Sequence, residues 1–161
     1  MATRTGDLDP GVILYLLRQE HATVDSVEAL LNHDSGLKAL SGGKGDVRDL
    51  EAAADAGDNE AQLALEVFCS RIGQTVAAYA AVLGGIDLLV FAGGIGEHSA
   101  RVRGTVAGGL RFLGVELDQA SNVAHAATIS AETSKVRVRI VPSEEDRQIA
   151  RHCRALLHVE G

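Results

Sequence analysis

Residues 87–99, Asp-Leu-Leu-Val-Phe-Ala-Gly-Gly-Ile-Gly-Glu-His-Ser, impose the strongest constraint on what this chain can fold into. The apolar run 88–91 predicts a short β-strand that is covered on both faces. Gly93, Gly94 and Gly96 follow at once. A turn carries several glycines where its backbone takes an unusual φ or closely approaches another group.

The residues after this turn, Glu97–Ser99, are expected to open a helix that continues to Leu113 and ends at Gly114. A helix start beside a glycine turn offers free backbone N–H groups and the positive end of the helix dipole, an arrangement that suits a phosphate. An ordinary tight strand-to-helix turn has the same pattern. This stretch alone therefore leaves both interpretations open.

The composition excludes several functional classes. At 161 residues the chain is expected to form one domain, with a core built from small aliphatic residues because only 3% of the residues are aromatic. The net charge is −7 and no basic stripe is interleaved with aromatic residues, so a nucleic-acid partner is not expected. No apolar run reaches membrane-spanning length and the first residues are polar, so we expect a cytoplasmic protein without a membrane segment or a secretory signal.

Cys69 and Cys153 lack CxxC spacing and both fall in helical patterns. We therefore expect two reduced thiols in the core of a cytosolic protein. The six histidines show no metal-binding spacing, so no structural metal is predicted.

Helical signals occupy the first half of the chain. Asp9 before Pro10 indicates a helix start, and Thr23 is the expected cap of a second helix. A glycine-rich connector over residues 36–45 should lead to a short helix over residues 49–57. The longest helix is expected from about Glu60 to Leu83, with these residues on its apolar face: Leu65, Phe68, Ile72, Val76, Tyr79 and Leu83.

The second half combines short strands with a final helix. Alternation over residues 136–141 predicts a strand, and shorter ones are expected over 115–117 and 128–130, separated by a loop. Ser143 and Asp146 have the spacing of a capping box at the start of the last helix. The predicted buried stripe of that helix consists of Ile149, Cys153, Leu156 and Leu157.

Three further stretches have residue types suited to chemistry. Arg4 among nearby carboxylates suits a planar anion, although a solvated N-terminus with a helix cap explains the same residues. In Asp46-Val47-Arg48 the arginine can stack on a base and the aspartate can accept from a ribose hydroxyl, or the pair is an exposed ion pair in a turn. The acids at 144–146 either stabilise a helix dipole or hold Mg²⁺ beside nucleotide phosphates.

Taken together, the motifs resemble the acetokinase family, the acetate kinases of the actin-like/sugar-kinase ATPase superfamily. The resemblance runs from Thr3 to about Leu157. Four motifs carry it in the family's order: Thr3–Pro10, Gly45–Leu50, Val90–Glu97, and Pro142–Glu145 followed by Ile149–Arg151.

The resemblance implies a helix-rich α/β fold with a small, incomplete sheet covered by helices, part of an actin-like (ribonuclease H-like) ATPase domain. It implies that residues 1–161 are a single domain, the C-terminal nucleotide-side portion of an acetate kinase. Family members are longer, so the N-terminal domain and the first strands of the second domain are expected to be absent here. A truncated reading frame starting at Met1 is one explanation.

The resemblance also implies residue roles. Arg4 corresponds to a catalytic arginine that binds phosphoryl oxygens, and Glu145 to the acid that supports Mg²⁺. The residues implied to contact ATP or ADP are Asp46, Val47, Arg48, Gly93, Gly94, Ile95, Gly96 and His98. This chain departs from the family at two of these motifs, because asparagine usually stands where it has His98 and Glu144.

The implied reaction is phosphoryl transfer between ATP and acetate, giving acetyl phosphate and ADP. Because the acetate pocket and the catalytic aspartate would lie in the absent part, we predict no activity for this chain alone. Two alternatives stay open: one half of a split short-chain acyl kinase (propionate or butyrate) with an N-terminal partner chain, and a non-catalytic nucleotide-binding or dimerisation module. The family dimerises through this domain, so a homodimer is expected.

Overall fold

The computed structural model describes residues 2–19 and 21–158, which divide into two compact units with the boundary between Val76 and Ala77. Among these residues no helix is long and apolar enough to cross a membrane. The single domain over residues 1–161 stays a prediction, and its proposed start at Met1 lies outside the described residues. The helix-rich fold with a small sheet is confirmed.

The first unit is helical. Its elements are α1 (Pro10–Gln19), α2 (Val24–His33), α3 (Gly36–Leu40), α4 (Val47–Asp55) and the first part of α5 (Asn59–Leu83). Two predicted helix starts are confirmed: Asp9 Oδ1 accepts from the Gly11 amide at 2.7 Å, and Thr23 Oγ1 accepts from the Ser26 amide at 3.2 Å. These caps satisfy amide groups that the first helical turn leaves without partners.

Two predictions for the first unit are wrong. The predicted connector over residues 36–45 contains the short helix α3, because Leu37 is buried there and anchors it. Helix α4 begins at Val47 rather than at Asp49, because Asp46 caps it. The buried hydrophobic residues of this unit are Val27, Leu37, Val47, Leu50, Ala61, Ala64, Leu65 and Cys69.

The predicted bounds of the longest helix are confirmed, since α5 spans Asn59–Leu83. Its predicted apolar face is only partly buried. Leu65 is in the core, but Tyr79 and Leu83 are 66% and 72% exposed. The most buried positions in the first half of α5 include alanines, whose small side chains allow close approach of neighbouring backbone.

The second unit contains the sheet, which consists of two parallel strands, β1 (Leu88–Phe91) and β2 (Arg137–Ile140). They pair in register from Leu88 opposite Arg137 to Phe91 opposite Ile140. The expected short strands appear as isolated antiparallel bridges, Leu117 with Ser130 and Thr128 with Arg139. The prediction that β1 is covered on both faces is wrong, because alternate residues of a strand point to opposite faces and Leu88 and Val90 are 50% and 44% exposed.

The helices of the second unit also differ from the prediction. In place of one helix over residues 97–113 there are α6 (Gly93–His98), α7 (Ala100–Gly109) and a 3-10 turn at Arg111–Leu113. The break falls at Ser99, which is buried and whose Oγ accepts from the Val102 amide at 2.9 Å, so it caps a new helix. Gly114 ends the 3-10 turn with φ +87°, as predicted.

The residues between the two bridges contain α8 (Gln119–Val123) rather than a loop. Asp118 caps it by accepting from the Ser121 amide at 2.7 Å. The last helix, α9 (Glu145–His158), begins two residues after the predicted cap Ser143, and Gln148 N donates to Glu144 O at 3.0 Å. The side chain of Asp146, the other half of the predicted capping box, lies outside the described residues.

The predicted buried stripe of α9 is wrong. Ile149, Leu156 and Leu157 are all exposed, and the Cys153 thiol is exposed as well, so only Cys69 is the expected core thiol. Periodicity identifies an apolar face, but it does not say whether another element covers that face. Both cysteines are reduced thiols rather than halves of a disulfide.

Gly114 provides a test of the backbone geometry of the second unit. A Cβ at this residue would lie 2.8 Å from Lys135 Cβ, and φ is in the left-handed region. Gly114→Ala should therefore lower the free energy of unfolding by about 1–3 kcal/mol in urea denaturation. Gly108→Ala, a helical position with nothing within 4 Å, is the matched control and should raise that free energy by up to about 1 kcal/mol. Equal effects of the two substitutions would contradict this account.

Candidate functional site

The three glycines after β1 have three different local environments. Gly93 has φ +73°, which disfavours other residues. At Gly96 a Cβ would lie 3.3 Å from the Phe91 carbonyl carbon, so α6 approaches β1 closely there. Gly94 has neither feature: its φ is ordinary and nothing lies within 4 Å of an added Cβ. The fold explains Gly93 and Gly96, and it leaves Gly94 with open space.

These glycines open a helix, which corrects the prediction of a turn followed by a helix at Glu97. Ala92 occupies the cap position of α6 and makes no side-chain cap hydrogen bond. Ile95 and His98 are exposed on the same short helix, and Ile95 O accepts from the Ser99 amide at 2.9 Å. The residues implied to contact nucleotide in this stretch therefore include exposed ones.

A buried arginine holds the far end of α6. Arg103, on α7, is 0% exposed. Its Nη1 donates to the carbonyl oxygens of Gly96 and Glu97, both at 2.9 Å. Its Nε donates to Asn122 Oδ1 at 2.8 Å and its Nη2 to Asn122 O at 2.7 Å. Arg103 thereby connects α6, α7 and α8.

The hydrogen-bond partners of Arg103 are carbonyl and amide oxygens rather than a carboxylate, and they still favour its positive charge. The last carbonyls of a helix lack intrahelical partners and lie at the negative end of its dipole. Nδ1 of His125 lies 3.1 Å from Nη2 and 3.0 Å from Glu97 O, and completes the surroundings on one side. Burial lowers the pKa of Arg103, because removal from water disfavours the charged form.

Sequence reasoning missed Arg103. It shares the buried face of α7 with Val102, Val106 and Ala107. An arginine at an apolar helical spacing was the available signal, but arginine is rarely fully buried.

Glu97 links α6 to the segment before α9. Its side chain is half-buried, and its Oε1 accepts from the Ser143 amide at 2.8 Å across 46 residues of sequence. Within the second unit the structure therefore brings the glycine helix and the acidic helix start together. Glu145, the implied magnesium residue, is the first residue of α9 and is exposed.

The described side chains at the acidic helix start do not form a metal site by themselves. Both carboxylate oxygens of Glu144 accept from Arg147 Nη1, at 3.0 and 2.8 Å, so an arginine on the same helix balances this departure from the family pattern. Among the side chains that the structure describes, which do not include that of Asp146, no group of three His, Cys, Asp or Glu could hold a metal. The residues fit Mg²⁺ only in the form in which one carboxylate, waters and substrate phosphates share the ion.

In the first unit, Asp46 and Arg48 form a local pair. Asp46 Oδ1 accepts from the Arg48 amide at 2.8 Å and caps α4, while Arg48 Nη2 donates to Asp46 Oδ2 at 2.9 Å. Hydrogen bonding from the Arg48 side chain, and then from its amide, lowers the pKa of Asp46. Val47 is buried between them, and the Arg48 side chain is 87% exposed.

Arg4 extends from an anchored backbone. Thr3 Oγ1 donates to Asn32 O at 2.8 Å, and the Thr5 amide donates to Leu31 O at 3.2 Å. The Arg4 side chain is exposed. Of the nearby carboxylates, that of Asp9 accepts from the Gly11 amide at the start of α1.

Comparison with known proteins gives consistent matches. The acetokinase family model matches residues 1–151. An acetate kinase of Methylocella silvestris is 49% identical over 157 residues, which are 98% of this chain and 38% of that protein. A propionate kinase of Citrobacter rodentium is 44% identical over 94% of this chain and 38% of its own length.

Solved structures give the same result. A Porphyromonas gingivalis acetate kinase superposes with a TM-score of 0.87 and 38% identity, covering 98% of this chain and 40% of that one. An Entamoeba histolytica acetate kinase gives 0.88 and 29%, with 98% and 42% covered. The chain thus spans about two fifths of the length of the relatives it matches.

Arg103 provides a stability test. Arg103→Met leaves four protein oxygens without their charged donor and should lower the free energy of unfolding by about 3 kcal/mol or more. Arg111→Met, at an exposed position just beyond α7, is the control and should change that free energy by less than about 0.5 kcal/mol. Urea denaturation followed by circular dichroism measures both free energies. Similar losses of stability for the two variants would contradict the structural role of Arg103.

The Asp46–Arg48 pair predicts a pH dependence. Because the folded pKa of Asp46 is depressed, its stabilising contribution is fully present above the unfolded pKa of about 3.9 and is lost as the pH falls through the folded value. Asp46→Asn should therefore be less stable than wild type at pH 7, and the difference should shrink at strongly acidic pH. Arg48→Gln should reduce the same acid-sensitive component. A pH-independent difference in urea midpoint for Asp46→Asn would refute this assignment.

Proposed function

The chain belongs to the acetokinase family, and from this premise we propose that it is the C-terminal, nucleotide-side portion of a short-chain acyl kinase. Its helix-rich fold with a small sheet is that of an actin-like ATPase. The proposed reaction of the whole enzyme is reversible phosphoryl transfer between ATP and acetate, giving acetyl phosphate and ADP. Propionate is a further candidate acceptor, because propionate kinases are among the relatives.

One observation carries the nucleotide role. Gly94 is exposed, has an ordinary φ, and has no atom within 4 Å of an added Cβ. The fold therefore does not require a glycine at Gly94, and its place just after the carboxyl end of β1, where ligands commonly bind in α/β sheets, favours a ligand that approaches the backbone. We assign the approach of ATP or ADP to Gly93–Gly96 and His98.

The other proposed roles rest on the family resemblance and on exposure. Arg48 projects from the start of α4 with its guanidinium exposed, so it is free to lie against a base, and Asp46 beside it can accept from a ribose hydroxyl. Val47 supports this pair from the core. Arg4 would bind phosphoryl oxygens, a task for which an exposed guanidinium on an anchored backbone is suited.

Glu145 is the proposed support for Mg²⁺. As an exposed carboxylate at a helix start it can hold a hydrated ion through water while the nucleotide phosphates supply further oxygens. The ion would neutralise phosphate charge during transfer, and the protein's contribution would be positioning.

Association is part of the proposal. Apolar side chains are exposed on β1 and along α9, and such surfaces favour burial against another chain. We propose a homodimer, with an N-terminal partner chain as the alternative. Two reduced cysteines fit a reducing, cytoplasmic location. Sedimentation analysis of the pure chain tests the dimer, and a monomer at all concentrations would exclude it.

Substitution at Gly94 tests the nucleotide role. Gly94→Ala should leave the urea midpoint unchanged or slightly higher, yet weaken binding of ADP with Mg²⁺ by about tenfold, because the added methyl group occupies the space of the ligand. Gly73→Ala, on α5 and also without an atom within 4 Å, is the matched control and should bind as wild type does. Isothermal titration calorimetry measures the affinity. No ADP binding by the wild type at millimolar concentration would leave only a structural role.

An activity assay tests the predicted inactivity of the chain alone and the proposed role of Arg4. We expect no ATP-dependent acetyl phosphate from the pure chain, and formation of acetyl phosphate when the N-terminal part of a family member is supplied as a second chain. Arg4→Ala should abolish that restored activity. Acetyl phosphate formed by the pure chain and lost on Arg4→Ala would disprove the predicted inactivity.

A further inference from the structure

We propose that Glu97 is a positioning residue that holds the start of α9 against the glycine helix α6, so that Glu145 stays at a fixed distance from the nucleotide-contacting glycines. The inference rests on the proposed function for its purpose, but the connection itself is a property of the fold. Glu97 has no role in the nucleotide, phosphoryl or magnesium contacts assigned above.

The main chain of Glu97 is fixed from one side. Its carbonyl oxygen accepts from Arg103 Nη1 at 2.9 Å, as does the preceding carbonyl of Gly96. Arg103 is fully buried, and one guanidinium nitrogen, Nη1, donates to both oxygens. The side chain of Glu97 therefore starts from a rigid point at the end of α6.

The carboxylate of Glu97 reaches the segment before α9. The segment is tied at two amides: Val141 N donates to Phe91 O at 2.9 Å, and Ser143 N donates to Glu97 Oε1 at 2.8 Å. Pro142 between them has no N–H to donate. The bond to Glu97 therefore adds to the connection with β1, and it lies two residues before Glu145.

A carboxylate makes a strong acceptor for the Ser143 amide. A backbone N–H that donates to an ionised acceptor makes a shorter and stronger bond than one that donates to a neutral group. The apolar residues along α9 are exposed, so packing of that helix within the second unit does little to fix its start. Without the Glu97 carboxylate, the start of α9 loses its hydrogen bond to α6, and Glu145 gains freedom relative to α6.

The first experiment measures the connection without nucleotide. Amide exchange of Ser143, followed by NMR in the full chain, should become about tenfold faster in Glu97→Ala and should be largely restored in Glu97→Gln, whose amide oxygen can still accept. Glu116→Ala is the matched control, because the Glu116 carboxylate accepts from Thr133 Oγ1 at 2.6 Å elsewhere on the unit. It should leave Ser143 unchanged. Unchanged exchange at Ser143 in folded Glu97→Ala would overturn the proposal.

The second experiment measures the consequence. ADP affinity is determined with and without Mg²⁺ for the wild type, Glu97→Ala and Glu97→Gln. Glu97→Ala should lose most of the gain in affinity that Mg²⁺ gives the wild type, while Mg²⁺-free binding changes less than about twofold. Equal loss in both conditions would mean a merely structural role and would overturn the positioning. If the wild type binds no ADP in either condition, the proposed function fails, and faster exchange at Ser143 still establishes the connection.

Discussion

The second unit depends on a guanidinium that is held in the core by peptide oxygens. Arg103 replaces the water it loses with the carbonyl groups of Gly96 and Glu97, the carbonyl and side-chain oxygens of Asn122, and a ring nitrogen of His125. Each carbonyl carries only a partial charge, but several converge on one cation whose five N–H groups point in fixed directions. A lysine could not serve all of these oxygens, because its ammonium has three donors at one point.

The hydrogen bonds of Arg103 compensate for a small sheet. Two paired strands are marginally stable alone and need helices packed on them. Here α6 follows β1 after one residue and approaches it so closely that a Cβ at Gly96 would lie 3.3 Å from the Phe91 carbonyl carbon. By binding the carbonyl oxygens of Gly96 and Glu97, and so joining α6 to α7 and α8, Arg103 holds that close approach in place.

The sequence predicted features that local chemistry determines. The caps Asp9 and Thr23, the bounds of β1 and α5, and the glycine at 114 all follow from side chains acting within a few residues. Features that depend on competition or on distant partners were not predicted. Ser99 could cap a helix or continue one, and the buried capping bond decided this. A charged side chain such as that of Arg103 is expected at the surface. Its burial is explained only by oxygen partners that the fold brings together from two other helices.

For the candidate site, the sequence identified a glycine-rich stretch after β1, and the structure shows what each glycine does in the fold. The pattern Gly-Gly-Ile-Gly was compatible with a phosphate loop or with a tight turn, because glycine meets the needs of both. The fold uses Gly93 for its positive φ and Gly96 for contact with β1, and these two would be needed in a plain turn. The case for a ligand thus narrows to Gly94, which has open space and no backbone need. Since an alanine at residue 94 does not destabilise the fold, any loss of ADP affinity that it causes must come from its contact with the bound ligand.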